Sequence, residues 1–247
     1  RTRRRRGRPR ATPPRRRPAA TAPDRATRDE PPRPPRADGA VPFPAVSDAN
    51  RPRIGVLALQ GDVREHRRVL EAVGASTTAV RRPQELDGLD GLVLPGGEST
   101  VIDRLAGIFG LREPLRAAIA GGLPVYGSCA GMILLADRIL DAHRDQQTFG
   151  GLHATVRRNA FGRQVDSHEI DLDIEGIPGG PVHAVFIRAP WVEEWETDVD
   201  VLASVEVAGT TRAVAVQQGR VLATSFHPEV TGDHRIHRHF VERVVGA

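Results

Sequence analysis

Short apolar segments that alternate with amphipathic ones limit most strongly the folds open to this chain of 247 residues. Residues 54–59 (IGVLAL) form a continuous apolar run, which is typical of a strand buried on both faces of a sheet. Gly61 ends this run, and residues 62–73 then have the periodicity of a helix with one apolar side, which ends at Gly74. Strands that alternate with helices indicate an α/β fold, with a mostly parallel sheet flanked by helices.

The same alternation predicts the remaining elements. In the first half, further strands are predicted at residues 77–80, 89–94 and 124–126, with helices at 100–105, 113–120 and 132–140. The second half is richer in strands, which are predicted at 152–157, 169–174, 184–188, 199–207, 213–217 and 221–226. A helix at 233–245 closes the chain. No internal repeat is visible, so residues 52–247 are predicted to form one domain.

The first 50 residues differ sharply from the rest. They contain 14 Arg, 11 Pro and five acidic residues, which gives them a net charge of +9 and leaves −5 for the remainder of a chain of net charge +4. Because large apolar residues are nearly absent, this segment cannot bury enough surface to offset the entropy of ordering. We predict a disordered tail over residues 1–51. The high pI belongs to this tail, so it does not indicate a nucleic-acid-binding domain, and any such role is expected of the tail only.

The composition also indicates where the protein works. A single cysteine excludes an intrachain disulfide and fits a reducing cytoplasm. No apolar run approaches the ~20 residues that span a bilayer. The Arg-rich segment also lacks the apolar centre of a secretory signal. We therefore expect a soluble, cytoplasmic protein that contacts no membrane.

The single cysteine, Cys129, lies in residues 127–131 (GSCAG), between a predicted strand and a predicted helix. A lone cysteine is usually a small buried apolar residue. Small neighbours on both sides are, however, typical of the tight turn called a nucleophile elbow, which places the sulfur at a helix N-terminus where a thiolate is favoured. The N–H of Ala130 would then point to the place where an oxyanion forms. The pattern predicts Cys129 as a nucleophile.

A cysteine nucleophile needs a base whose tautomer is fixed by a third group. His227 follows a predicted strand, at the end of the sheet where α/β proteins place their sites, and Glu229 follows two residues later. In an extended chain these two side chains share a face. A solvated turn is the alternative for this motif. Other histidines, among them His66 and His237, lie in charged segments that look exposed.

Residues 95–99 (PGGES) follow another predicted buried strand. Two glycines can mark a simple turn, but they also let backbone amides come close to a ligand. The N–H groups of Gly97 and Ala130 are therefore candidates for an oxyanion hole. Glu98 could bind a substrate ammonium group or lie in the first turn of the next helix.

These motifs, together with residues 59–61 (LQG) and in this order, resemble those of class I (triad) glutamine amidotransferases. Residues 158–167 and 185–190 are similar to the glutaminase subunit of pyridoxal 5′-phosphate synthase, the PdxT or Sno family. The resemblance covers about residues 53–245. It implies the three-layer, flavodoxin-like fold of that family.

The resemblance implies that L-glutamine is hydrolysed to glutamate and ammonia through a thioester, with Cys129 as nucleophile, His227 as general base and Glu229 as the group that orients it. It implies no cofactor, and no metal cluster is visible in the sequence. It also implies a partner, the (β/α)8-barrel synthase subunit, which would use the ammonia to make pyridoxal 5′-phosphate (vitamin B6) in a hetero-oligomer. The glutamine contacts of the family correspond to six residues, which are Gly97, Glu98, Ser99, Arg158, Ile187 and Arg188.

Several alternatives remain at this point. Arg158 and Arg188 could be plain surface charges. A glutaminase of another pathway, such as histidine synthesis, is disfavoured by residues 158–167. A catalytically silent scaffold is disfavoured by the complete Cys-His-Glu set. A nucleic-acid-binding protein would depend on the tail, and a salt-dependent gel shift lost with residues 1–50 would support it.

Deletion of residues 1–50 is expected to leave the melting temperature and the glutaminase activity unchanged. The reason is that this segment has almost no apolar side chains to pack against the remainder. Thermal unfolding and ammonia release of the full and shortened chains test this. A drop of several degrees on truncation would show that the tail packs on the domain.

Overall fold

The computed structural model describes residues 51–161 and 168–246. The predicted tail, apart from Arg51, and residues 162–167 lie outside the described residues, so the tail and the domain boundary stay predictions. In the described part of the chain, every helix is too short or too polar to cross a membrane.

Five parallel strands form the centre of the main sheet. In chain order they are β1 (Arg53–Leu57), β2 (Ser76–Val80), β3 (Gly91–Leu94), β4 (Val125–Ser128) and, much later, β12 (Val221–Thr224). Their order across the sheet is β2-β1-β3-β4-β12, and each neighbouring pair is parallel. The carboxyl ends of β3, β4 and β12 therefore meet at one edge, where sites form in such sheets.

The strand-rich second half extends this sheet beyond β12. The added strands are β5 (Ala136–Leu140), β6 (Leu152–Arg157), β9 (Trp191–Trp195), β10 (Asp200–Val207) and β11 (Thr210–Gln218). The order continues β12-β11-β9-β6-β5, with β10 paired to β11, and most of these pairings are antiparallel. Two further strands, β7 (His168–Leu172) and β8 (Val182–Phe186), pair with each other.

Helices cover both faces of the parallel strands. They are α1 (Val63–Ala72), α2 (Ser99–Ile108), α3 (Arg112–Ala120), α4 (Ala130–Leu135), α5 (Pro228–Thr231) and α6 (Arg235–His239), and α6 continues as a π-helix over Phe240–Val245. On β3, Leu92 and Leu94 pack toward α2, α3 and α4, whereas Val93 packs toward α1 and the C-terminal helices. This alternation on a strand buried on both sides confirms the predicted α/β fold.

Three elements of the structure differ from the prediction. The helix predicted at 132–140 ends at Leu135, because Ala136–Leu140 pairs with β6 as a strand. Strand β9 was not predicted, since its sequence (WVEEW) lacks a continuous apolar run. The final helix starts at Arg235 and widens to a π-helix at Phe240. The first two differences arise from pairing with neighbouring strands of the sheet, which cannot be predicted from the local sequence.

Two glycines allow α4 to pack closely against the sheet. A Cβ on Gly127 would come within 2.6 Å of the backbone of Gly131, and a Cβ on Gly131 would overlap the carbonyl oxygen of Leu94. Backbone atoms cannot move aside as a flexible side chain can. The start of α4, directly after Cys129, is therefore fixed by contact with β3 and β4.

Gly131→Ala is expected to lower the free energy of unfolding by about 2 kcal/mol, because the added methyl group meets backbone. Gly107→Ala in α2 is the matched control. There the nearest atoms belong to the movable guanidinium of Arg112, and we expect a change within about 1 kcal/mol. Urea unfolding of both variants measures the difference. Equal losses would contradict the close packing of α4.

Candidate active site

Cys129 lies in a strained turn between β4 and α4. Its φ of 46° and ψ of −99° are unusual for a residue with a side chain. The Cys129 N–H donates to the carbonyl oxygen of Thr224 at 2.7 Å, so the end of β12 holds the turn. The Cys129 side chain is almost fully buried. This is the geometry expected of a nucleophile elbow.

His227 and Glu229 meet beside this turn. His227 Nδ1 donates to Glu229 Oε1 at 2.8 Å, and the Cys129 side chain lies within hydrogen-bonding reach of the ring. The His227 N–H donates to Val185 of β8 at 3.1 Å, which fixes the backbone. The sequence predicted that an extended chain would place Glu229 beside His227. In the structure, α5 begins at Pro228 instead, and its helical turn directs Glu229 toward His227. The solvated-turn alternative is wrong, because both side chains are buried.

The charges at this site stabilise one another. Burial alone lowers the pKa of His227, but hydrogen bonds with Asp62, Cys129 and Glu229 outweigh it and raise that pKa well above its ordinary value. Burial alone raises the pKa of Glu229, but the nearby His66 and His227 outweigh it and lower that pKa. The site therefore favours a Glu229 carboxylate and an imidazolium at His227, which is the charge that His227 carries when it has taken a thiol proton.

Asp62 also faces the base, and the sequence did not reveal it. Asp62 Oδ2 lies 3.4 Å from His227 Nδ1, and the Asp62 N–H donates to Gly96 at 3.2 Å. Ligand atoms of Asp62, His227 and Glu229 all lie within 4.8 Å of one another, which could admit a metal ion. His227 Nδ1 cannot, however, donate a proton to Glu229 and bind a metal at once. The only signal for Asp62 is its position next to residues 59–61.

The loop after β3 approaches the base closely. A Cβ on Gly96 would overlap the His227 ring, and Gly97 has a φ of 150° that only glycine adopts readily. The next N–H, that of Glu98, donates to the Gln60 side chain at 2.7 Å. The structure thus brings the Gly96–Gly97 segment next to His227. Its role in an oxyanion hole, with Ala130, stays a prediction.

Glu98 caps the start of α2 and binds Arg158. Its side chain accepts from the N–H groups of Thr100 at 3.2 Å and Val101 at 2.8 Å, as a helix cap does. Arg158 donates to Glu98 Oε1 at 2.8 Å and to Thr100 Oγ1 at 3.0 Å, and its side chain is only 13% exposed. Plain surface charge is therefore wrong for Arg158.

The other predicted glutamine contacts are placed differently. Ser99 is buried next to Glu98, and its hydroxyl has no hydrogen-bond partner among the described residues. Ile187 and Arg188 lie in an exposed turn after β8, two and three residues beyond the Val185 carbonyl that binds His227. Arg188 has a φ of 46°. The structure brings Glu98, Ser99 and Arg158 together, and leaves Ile187 and Arg188 at the surface.

His66 and His237 were expected to be exposed, and this is wrong, because both are fully buried beneath the site. His66 Nε2 lies 2.9 Å from Ser128 Oγ and 3.4 Å from Glu229 Oε1. A signal was present in the sequence. Residue 66 lies between Val63 and Leu70 at helical spacing, on the same apolar side of α1.

Comparison with known proteins agrees with this site. The family model "SNO glutamine amidotransferase family" matches residues 56–246. The pyridoxal 5′-phosphate synthase subunit PdxT of Kineococcus radiotolerans is 67% identical over 204 residues, which cover 79% of this chain and 98% of the relative. The protein of the same name from Rhodococcus jostii is 61% identical over 199 residues, with the same coverage.

Solved structures give the same result. A crystal structure described as a glutamine amidotransferase is 46% identical and superposes with a TM-score of 0.71, covering 78% of this chain and 99% of that one. In this shared fold the buried Cys129 directly follows β4, the buried His227 follows β12 by three residues, and Glu229 lies in α5. The chain belongs to the SNO glutamine amidotransferase family.

Proposed function

We propose that this protein hydrolyses L-glutamine and delivers the ammonia to a synthase subunit that makes pyridoxal 5′-phosphate. The observation that carries the proposal is the contact of Cys129, His227 and Glu229 at the strained turn after β4. The relatives named pyridoxal 5′-phosphate synthase subunit PdxT support the pathway, since the match spans 98% of their length.

The first half of the reaction forms a thioester. His227 takes the proton of Cys129, and the sulfur attacks the side-chain carbonyl of glutamine. The resulting imidazolium is stabilised by Glu229, which accepts from Nδ1 and so leaves Nε2 toward the sulfur. The N–H groups of Gly97 and Ala130 hold the oxyanion, each contributing roughly 3 kcal/mol. His227 then gives its proton to the leaving ammonia.

The second half releases glutamate. With ammonia gone, the neutral His227 ring takes a proton from water, and the hydroxide attacks the thioester carbonyl. The same two N–H groups hold the second oxyanion. Collapse expels the Cys129 sulfur, which regains a proton from His227. The proposal requires no metal or cofactor for these steps.

The rim of the site is suited to the amino-acid end of glutamine. The Glu98 side chain is 42% exposed, so its carboxylate can accept from the substrate ammonium group while it caps α2. Arg158 positions this carboxylate from β6 through its 2.8 Å bond. Ser99, Ile187 and Arg188 complete the contacts that the family resemblance implies.

The ammonia is used on another polypeptide in this proposal. The proposed site draws on residues from Gln60 to Glu229, which span the described fold. We propose the (β/α)8-barrel synthase subunit as the partner in a hetero-oligomer. A thiol nucleophile must stay reduced, which supports a cytoplasmic location.

Cys129→Ala is expected to abolish glutamine hydrolysis without unfolding the protein, because it removes the only sulfur nucleophile. His227→Asn should be nearly as damaging, and Glu229→Gln milder, since it alters the tautomer and not the nucleophile. Glutamate formation, with thermal unfolding as the control for folding, tests this. Near wild-type ammonia release from Cys129→Ala would end the proposal.

The isolated chain is expected to be a poor glutaminase that the synthase activates. The peptide between Gly96 and Gly97 can act as the gate, because a flip there is tolerated by glycines and would aim or withdraw one oxyanion donor. One such donor contributes about 100-fold, so a gain of that size in kcat/KM is expected on adding the synthase. An unchanged kcat/KM with a partner shown to bind by gel filtration would refute the gate.

A further inference from the structure

A buried pair of histidines connects two helices to Glu229. Nδ1 of His66, on α1, lies 2.9 Å from Nε2 of His237, on α6. The other nitrogen of His66, Nε2, lies 2.9 Å from Ser128 Oγ and 3.4 Å from Glu229 Oε1. The Tyr126 ring packs edge-on against both imidazoles. None of the steps of glutamine hydrolysis described above uses this pair.

Only one arrangement of protons suits these distances. If His66 carries its proton on Nδ1, its Nε2 lone pair faces the Glu229 carboxylate, which is repulsive. His237 then accepts at Nε2 and carries an N–H on Nδ1, an atom that has no partner among the described residues. A buried donor without a partner is costly.

The opposite arrangement removes both problems. His237 Nε2–H donates to His66 Nδ1, and His66 Nε2–H points to Glu229 Oε1 and Ser128 Oγ. His237 Nδ1 is then a bare acceptor, which is easier to leave unpaired than an N–H. Complete burial lowers the pKa of His237 to about 3, so this ring is neutral at working pH.

Glu229 depends on few donors. Its Oε1 faces His227 Nδ1 at 2.8 Å and His66 Nε2 at 3.4 Å, whereas its Oε2 has no hydrogen-bond partner among the described residues. The carboxylate is buried, so loss of one donor cannot be made good by water. His66 therefore contributes directly to where this carboxylate lies and to its charge.

We propose that His66 is a positioning residue, which holds the Glu229 carboxylate against His227 through Nε2–H, and that His237 fixes the tautomer of His66. The inference rests on the proposed roles of Cys129, His227 and Glu229. It extends the line of polar contacts from the nucleophile to α1 and α6. Among the described residues, the other ionisable groups near this line are Asp62 on the His227 side, Tyr126 of β4, and Asp233 and His234 just before α6.

Two substitutions of His66 separate positioning from simple filling of space. The amide nitrogen of Gln occupies the place of Nε2 and can still donate to Glu229. Asn ends at the place of Nδ1, so it can contact His237 but leaves Glu229 without its second donor. We expect His66→Gln to keep kcat within about threefold and His66→Asn to lose at least about tenfold, with KM for glutamine changed less than about twofold.

Alkylation of the single cysteine gives a readout that packing alone would not change. When Glu229 is no longer held against His227, its carboxylate stabilises the His227 imidazolium less. The thiolate of Cys129 then forms only at higher pH. The rate of reaction with iodoacetamide is measured against pH in the full chain. The midpoint is expected to rise by about one pH unit in His66→Asn and to stay in place in His66→Gln.

His153→Gln is the control, because His153 is an exposed histidine that pairs with Asp198 away from the proposed triad. It should change neither kcat nor the alkylation midpoint. Thermal unfolding of every variant, and kcat measured with the synthase added, complete the comparison. If Cys129→Ala stays active, the proposed triad itself is wrong.

If Cys129→Ala is inactive while His66→Gln and His66→Asn behave alike in kcat and alkylation, only the positioning role is wrong. If neither His66 variant folds, His237→Gln and His237→Leu decide instead. Gln keeps a donor at the place of Nε2 and should retain the alkylation midpoint, whereas Leu should raise it. Equal midpoints for these two variants overturn the proposal.

Discussion

The parallel pairing of β4 with β12 is the constraint on which the site depends. Ser128 pairs with Thr224 although 96 positions separate them in the sequence, and the hydroxyl of Tyr126 lies 2.9 Å from that of Thr224. Beyond this pair, the Cys129 N–H donates to the Thr224 carbonyl at 2.7 Å. The register between β4 and β12 therefore fixes both the turn at Cys129 and the end of β12, which leads to His227. A slip by one residue would turn every side chain of β12 to the other face.

The sequence predicted the centre of the fold because continuous apolar runs and glycine stops are local signals. Strands β1, β3, β4 and β12 and the motifs at their ends follow from such runs. It missed β5 and β9, whose exposed or charged residues are held in strands by pairing with β6 and, for β9, also with β11. Propensity in strands depends on neighbours that the local sequence does not contain.

The chemistry of the site was predictable in part for the same reason. Cys129 and His227 stand at recognisable strand ends, and Glu229 lies close to His227 in sequence. Asp62, just before α1, and His66, within α1, reach the site from more than 160 residues earlier than His227, so their contacts depend on the tertiary fold. The charged neighbours of His66 in sequence suggested exposure, whereas its spacing with Val63 and Leu70 indicated burial, and the spacing prevails.

The carboxylate of Glu98 has two roles at once. It is the N-cap of α2, and it is the ion-pair partner of Arg158, which directly follows β6. Any ligand that binds this carboxylate also alters its bonds to the two amides at the start of α2. Occupancy of the rim and fraying of that helix are then thermodynamically linked, and the linkage holds in both directions. Factors that stiffen or loosen the far end of α2, near the exposed Ile108 and Phe109, would thus alter affinity at the rim without touching a substrate.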